Sequence, residues 1–130
     1  MQPPYRVVLA VDDDPILLQV LTAFFAKHGT GKVLTASNGA EAIKTFDANP
    51  AIDVILSDLH MPGASGIEFM NHLQDVACQI PLIIISSATK TTFDGATTLA
   101  KAYRLNLIGA LSKPVRLDDL SAALNLHQPA

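Results

Sequence analysis

Residues 7–11, Val7-Val8-Leu9-Ala10-Val11, are apolar at every position, and the three residues after them are all aspartate. A strand with one wet face alternates apolar and polar side chains. An unbroken apolar run fits a strand covered by layers on both sides, the usual situation of a parallel sheet. This one feature implies a central parallel strand inside a layered domain, with concentrated negative charge at its carboxyl end.

The chain then repeats a cycle of helix and strand. Asp14 serves as an N-cap and Pro15 suits the first helical position; Ile16, Leu17, Val20, Leu21, Phe24 and Phe25 recur at helical spacing as far as Gly29. Lys32 to Ala36 reads as a second strand and Gly39 to Ala48 as a second helix, stopped by Asn49-Pro50. A third strand, Ile52 to Ser57, runs into Asp58, and Gly63 and Gly66 bracket a loop before a helix carrying Ile67, Met70 and Leu73. Pro81 opens a fourth strand, Leu82 to Ile85, ending at Ser86. A helix over about Thr91 to Arg104, a fifth strand from Leu107 to Leu111 and a last helix after Pro114 complete the series. Strict alternation with short links predicts right-handed crossovers and an α/β fold with helices on both faces of a parallel sheet.

Composition narrows the function classes. With 130 residues, one domain is expected, with a core over about 6–126 and residues 127–130 as a tail or the start of a linker. Apolar residues make up 49% of the chain and charged ones 16%, which favours a packed globule over disorder. The net charge of -3 gives no basic field for a phosphate backbone, so direct nucleic-acid binding is not expected. Cys78 is the only cysteine, which excludes an internal disulfide and suits a reducing compartment. No leader is read at the start, and every apolar run is far shorter than the roughly 20 residues that span a bilayer. A cytoplasmic protein without a membrane partner is expected.

In an open parallel sheet, ligands bind beyond the carboxyl ends of the strands. Those ends carry Asp12-Asp13-Asp14, Asp58, Ser86-Ser87 and Ser112-Lys113-Pro114, while the second strand ends in Ala36-Ser37-Asn38. Clustered carboxylates repel one another and resist burial unless a cation compensates. Carboxylate oxygens suit a hard cation such as Mg2+, which takes one or two protein carboxylates, waters and phosphate oxygens. No His/Cys cluster at ligand spacing supports zinc. A carboxylate facing a metal, a lysine and a hydroxyl can act as nucleophile in phosphoryl transfer, with Lys113 and Ser86 serving the phosphoryl oxygens.

These residues carry a family resemblance. Val11-Asp12-Asp13-Asp14-Pro15 resembles the acidic signature of response-regulator receiver domains, Asp53 to Pro62 with Gly66 resembles their phosphoacceptor segment, and Lys113-Pro114 resembles their closing motif. Ala36 to Ala42 is similar to their second strand-to-helix turn, so the likeness spans about residues 6–126. It implies a doubly wound, flavodoxin-like sheet of order 2-1-3-4-5. It also implies Asp58 as phosphoacceptor, Asp12, Asp13 and Asp58 as Mg2+ ligands with the main-chain carbonyl of His60, Ser86 as switch hydroxyl, and Lys113 before a cis proline. The implied partner is a sensor histidine kinase or phosphotransfer protein, with a C-terminal output domain or a homodimer downstream. Residues 100–114 further resemble receivers attached to cyclic-di-GMP phosphodiesterase (EAL) domains.

One position departs from the pattern. Ala110 stands three residues before Lys113, where the family often has Tyr or Phe as a rotamer switch, and the interval from Ser86 to Lys113 is longer than usual. The aromatic route of signal output is therefore not expected here. Two rival readings remain at the level of sequence. A small phosphohydrolase of the haloacid-dehalogenase type would use Asp12 as nucleophile but leaves Asp58 without a role, and an unphosphorylated pseudo-receiver leaves five filled chemical positions unexplained. His60 has no second His or Cys beside it to make its side chain a ligand. His28, His72 and His127 read as helix-surface or helix-end residues, and Asp118 and Asp119 as acidic residues favouring the start of the last helix.

Overall fold

The first apolar run is β1 (Val7–Val11), and it pairs on both sides, with β2 (Lys32–Ala36) and with β3 (Val54–Asp58). β4 (Leu82–Ser86) lies beside β3 and β5 (Leu107–Ser112) beside β4, all parallel, giving the order β2-β1-β3-β4-β5. The doubly wound sheet expected from the sequence is the one observed. The computed structural model describes residues 5–58, 66–87 and 90–124. The strands alternate with α1 (Pro15–Lys27), α2 (Gly39–Ala48), α3 (Gly66–Asp75), α4 (Lys90–Ala102) and α5 (Leu117–Leu124).

Successive strand residues point to opposite faces and build two cores. On one face Leu9, Val11, Ile55, Leu82 and Ile84 pack with Ala42 of α2, Phe69, Met70 and Leu73 of α3, and Ala96 and Ala100 of α4. On the other, Val8, Ala10, Val54, Leu56, Ile83 and Ile85 pack with Leu21, Phe24 and Phe25 of α1 and Leu120 and Leu124 of α5. Each fully buried Val, Leu, Ile, Met or Phe side chain among them contributes about 1.5–3 kcal/mol. β3 and β4 are buried at every position, as strands covered on both sides must be.

Local chemistry fixes the helix ends near the sheet's carboxyl edge. The Asp14 carboxylate accepts the Ile16 N–H at 2.9 Å, capping α1, and Pro15 occupies the first turn, where its missing N–H costs nothing. Asn38 caps α2 by accepting the Glu41 N–H at 2.8 Å, while the Glu41 carboxylate accepts from the Ser37 hydroxyl at 2.9 Å. α1 stops at Lys27, short of the expected Gly29, because His28 caps it and Gly29 turns into the left-handed region at φ 84°.

Two strands also carry features the sequence reading did not give. β3 starts at Val54, since the Asp53 carboxylate accepts the N–H groups of Arg6 and Val7 at 2.8 and 3.2 Å and so finishes the entry to β1. β5 slips by one residue where Leu82 faces Leu107 but Ile83 faces Gly109. Only glycine fits that slip: a Cβ at Gly109 would lie 2.8 Å from the Ala123 Cβ of α5.

Candidate functional site

The carboxyl edge of the sheet gathers the acidic residue that follows β1, the one that ends β3 and the lysine that follows β5. Asp12 continues the β1 ladder, its N–H donating to Ala36 O at 3.0 Å, and its Oδ1 accepts the Asp14 N–H at 2.8 Å. Asp58 is the last residue of β3. By strand alternation it falls on the face of Val54 and Leu56, the face covered by α1 and α5. Asp12 is 1% exposed and Asp58 2%. Asp13 is exposed.

Lys113 meets both buried carboxylates. Its Nζ lies 2.8 Å from Asp12 Oδ2 and 3.0 Å from Asp58 Oδ2, and its own N–H donates to Ser86 O at 2.9 Å. The Lys113–Pro114 peptide bond is cis, as the resemblance implied. Ser86 ends β4, fully buried, opposite Ser112 of β5. Ser57, read from the sequence only as part of the strand, proves to be a buried hydroxyl that donates to Asp58 O at 3.2 Å. The signal that could have found it is a polar residue closing an otherwise apolar run. His60 and Ala88 lie outside the described residues, as does His127.

The electrostatics of this cluster are unbalanced. Burial pushes the Asp12 carboxyl up, and neighbouring Asp58 adds to that, against the lowering effect of Lys113 and the Asp14 N–H. Burial alone would lower the Lys113 ammonium, but its contacts with Asp12 and Asp58 outweigh this and hold its pKa above the ordinary lysine value. The approach of Nζ to Asp12 Oδ2 is an ionic contact without hydrogen-bond alignment, and among the described residues that buried oxygen takes no hydrogen bond. Oxygens of Asp12, Asp13 and Asp58 lie within 4.8 Å of one another. Three carboxylates against one ammonium, with a buried oxygen lacking a hydrogen bond, form a set that suits a hard cation.

The other expected side roles are bland. His28 caps α1 with its ring 4.6 Å from Phe24, and His72 of α3 pairs with Asp47 of α2 at 2.7 Å. Cys78 is buried, and burial pushes its thiol up, as for an inert core cysteine. Asp118 and Asp119 occupy the first turn of α5. No described helix is long and apolar enough to cross a membrane.

Comparison with known proteins follows the same line. The family model of the response regulator receiver domain matches residues 8–125. The chain belongs to that family. Among curated relatives of this receiver domain is "Cyclic di-GMP phosphodiesterase RocR" of Pseudomonas aeruginosa, 29% identical over 121 residues that cover 92% of this chain and 31% of that protein. "Two-component response regulator ORR23" of Oryza sativa subsp. japonica is 35% identical over 116 residues, 87% of this chain and 16% of that protein. The receiver domain thus spans a third or less of these relatives. Among solved structures, a response regulator receiver domain protein of Clostridium thermocellum superposes with a TM-score of 0.78 at 30% identity, covering 92% of this chain and 91% of that one. A response regulator of Colwellia psychrerythraea gives a TM-score of 0.77 at 30% identity, with 93% and 94% covered.

Proposed function

We infer that Asp58 accepts a phosphoryl group from a phosphohistidine of a sensor kinase or phosphotransfer protein, and that this changes the surface the receiver domain offers to its output. In the transfer one Asp58 carboxylate oxygen forms the new O–P bond while the N–P bond of the donor histidine breaks, its electron pair returning to the imidazole. The observation that carries this reading is the convergence of Asp12, Asp58 and the Lys113 ammonium at 2.8 and 3.0 Å in a buried setting. Lys113 already faces the oxygen atoms of Asp58, so its charge is in place for a phosphoryl oxygen. Ser86, at the end of the adjacent strand, supplies a hydroxyl for another.

Asp12, Asp13 and Asp58 would hold Mg2+, with the His60 carbonyl completing the protein's share. Bound there, the ion supplies positive charge that screens the carboxylates from the incoming phosphoryl oxygens. The domain then turns over only its own phosphoryl group. We read residues 6–126 as this unit and 127–130 as the start of a link to an output domain, in keeping with relatives of greater length. The resemblance of residues 100–114 and the likeness to RocR favour a cyclic-di-GMP phosphodiesterase as that output.

The test offers a small phosphodonor or beryllofluoride with Mg2+ to the wild type and to Asp58→Asn, read by intact mass and by NMR. A mass gain of one phosphoryl group in the wild type alone is expected. No response in the wild type, or trapping of the group at Asp12, overturns the reading.

A further inference from the structure

Ser57 is 2% exposed, and its Cα partners on either side, Val11 of β1 and Ile84 of β4, are both apolar. Alternation puts its side chain on the sheet face packed by α3 and α4, opposite to the Asp58 carboxylate. Among the described residues its hydroxyl makes one hydrogen bond, donated to the main-chain carbonyl of Asp58 at 3.2 Å. That distance lies beyond the usual O–H···O range of about 2.5–3.0 Å, so the bond adds little to stability. A methyl group in this apolar row would be buried without the desolvation cost of a hydroxyl. Stability therefore does not account for a serine here.

What the hydroxyl does touch is the last carbonyl of β3, at the point where the strand leaves the sheet. The peptide plane after Asp58 bears on two things: the rotamers open to the Asp58 side chain, and the direction in which the main chain leaves the strand. We propose that Ser57 is a positioning residue for phosphoryl transfer, orienting that plane through its hydrogen bond to Asp58 O. The proposal rests on Asp58 as phosphoacceptor. Displacing a reacting group by a fraction of an ångström to an ångström costs up to about a hundredfold in rate, so a hydroxyl on the neighbouring residue is well placed to matter.

The experiment compares wild type, Ser57→Ala and Ser57→Thr, with acetyl phosphate as donor. Thermal midpoints are measured without Mg2+, and phosphorylation rates across a Mg2+ titration to saturation. Ser57→Ala is expected to melt at or above the wild-type temperature, yet to phosphorylate on the order of tenfold more slowly at saturating Mg2+. Ser57→Thr, which keeps the hydroxyl, is expected to recover most of that rate. A role in packing alone would move the midpoint and leave the saturated rate untouched. A wild-type rate in Ser57→Ala, or a Ser57→Thr as slow as Ser57→Ala, overturns the positioning role while Asp58 remains the acceptor. A wild type that takes up no phosphoryl group overturns both.

Discussion

Lys113→Met keeps most of the apolar length of the side chain and removes the ammonium that faces Asp12 Oδ2 at 2.8 Å and Asp58 Oδ2 at 3.0 Å. Stripping one partner from a fully buried ion pair costs about 3–5 kcal/mol. The lysine side chain is 21% exposed, so water at the mouth of the site screens part of that loss, and about 2–3 kcal/mol is expected. For a domain of this size each kcal/mol corresponds to about 4 °C, so the thermal midpoint falls by roughly 8–12 °C. A divalent cation bound at a hundredfold its Kd stabilises the wild type by about 2.7 kcal/mol. In Lys113→Met it also neutralises carboxylates left without their ammonium, so its increment is larger there. Circular-dichroism melts with MgCl2 against NaCl of matched ionic strength read both quantities. The pH dependence has a fixed sign: the raised Asp12 pKa means that protonation favours the folded state, an advantage complete below pH 3.8 and lost as pH rises through the folded value. The deficit of the variant therefore narrows as pH falls toward the carboxylate range. An unchanged melt without Mg2+, or equal Mg2+ increments in both proteins, refutes the reasoning.

Gly109→Ala forces a Cβ to within 2.8 Å of the Ala123 Cβ and should cost about 1–3 kcal/mol in chemical denaturation, with Ala123→Gly in the double variant returning part of it. Tyr5→Phe removes the hydroxyl that donates to Leu124 O at 3.0 Å and should cost about 0.5–1.5 kcal/mol near neutral pH. Burial, and then the charge of Asp53, push the Tyr5 phenol above its ordinary value of 10.0, so that contribution is whole below pH 10.0 and lost as pH rises through the folded value. Urea titrations at neutral and strongly alkaline pH should show the difference between the two proteins vanish.

The elements that were legible from the sequence are those set by local pattern. An apolar run on both faces has one destination in a layered domain, and Asp14-Pro15 marks a helix start. The assembly of Asp12, Asp58 and Lys113 was legible too, because each closes a strand of a parallel sheet. What stayed hidden depends on partners distant in the chain. Ile52 and Asp53 look like strand until the Asp53 carboxylate is seen completing the hydrogen bonds of residues 6 and 7. The slip in β5 answers to the close approach of Ala123, and a single ammonium shared by two carboxylates is a fact of distance that spacing cannot state.

Lys113 ties together four of the five strands: its side chain reaches Asp12 beside β1 and Asp58 on β3, its N–H is bonded to Ser86 on β4, and its backbone continues β5. It works as a drawstring across the end of the sheet. Asp58 on the middle strand and the end of the outermost strand are thereby joined through one residue.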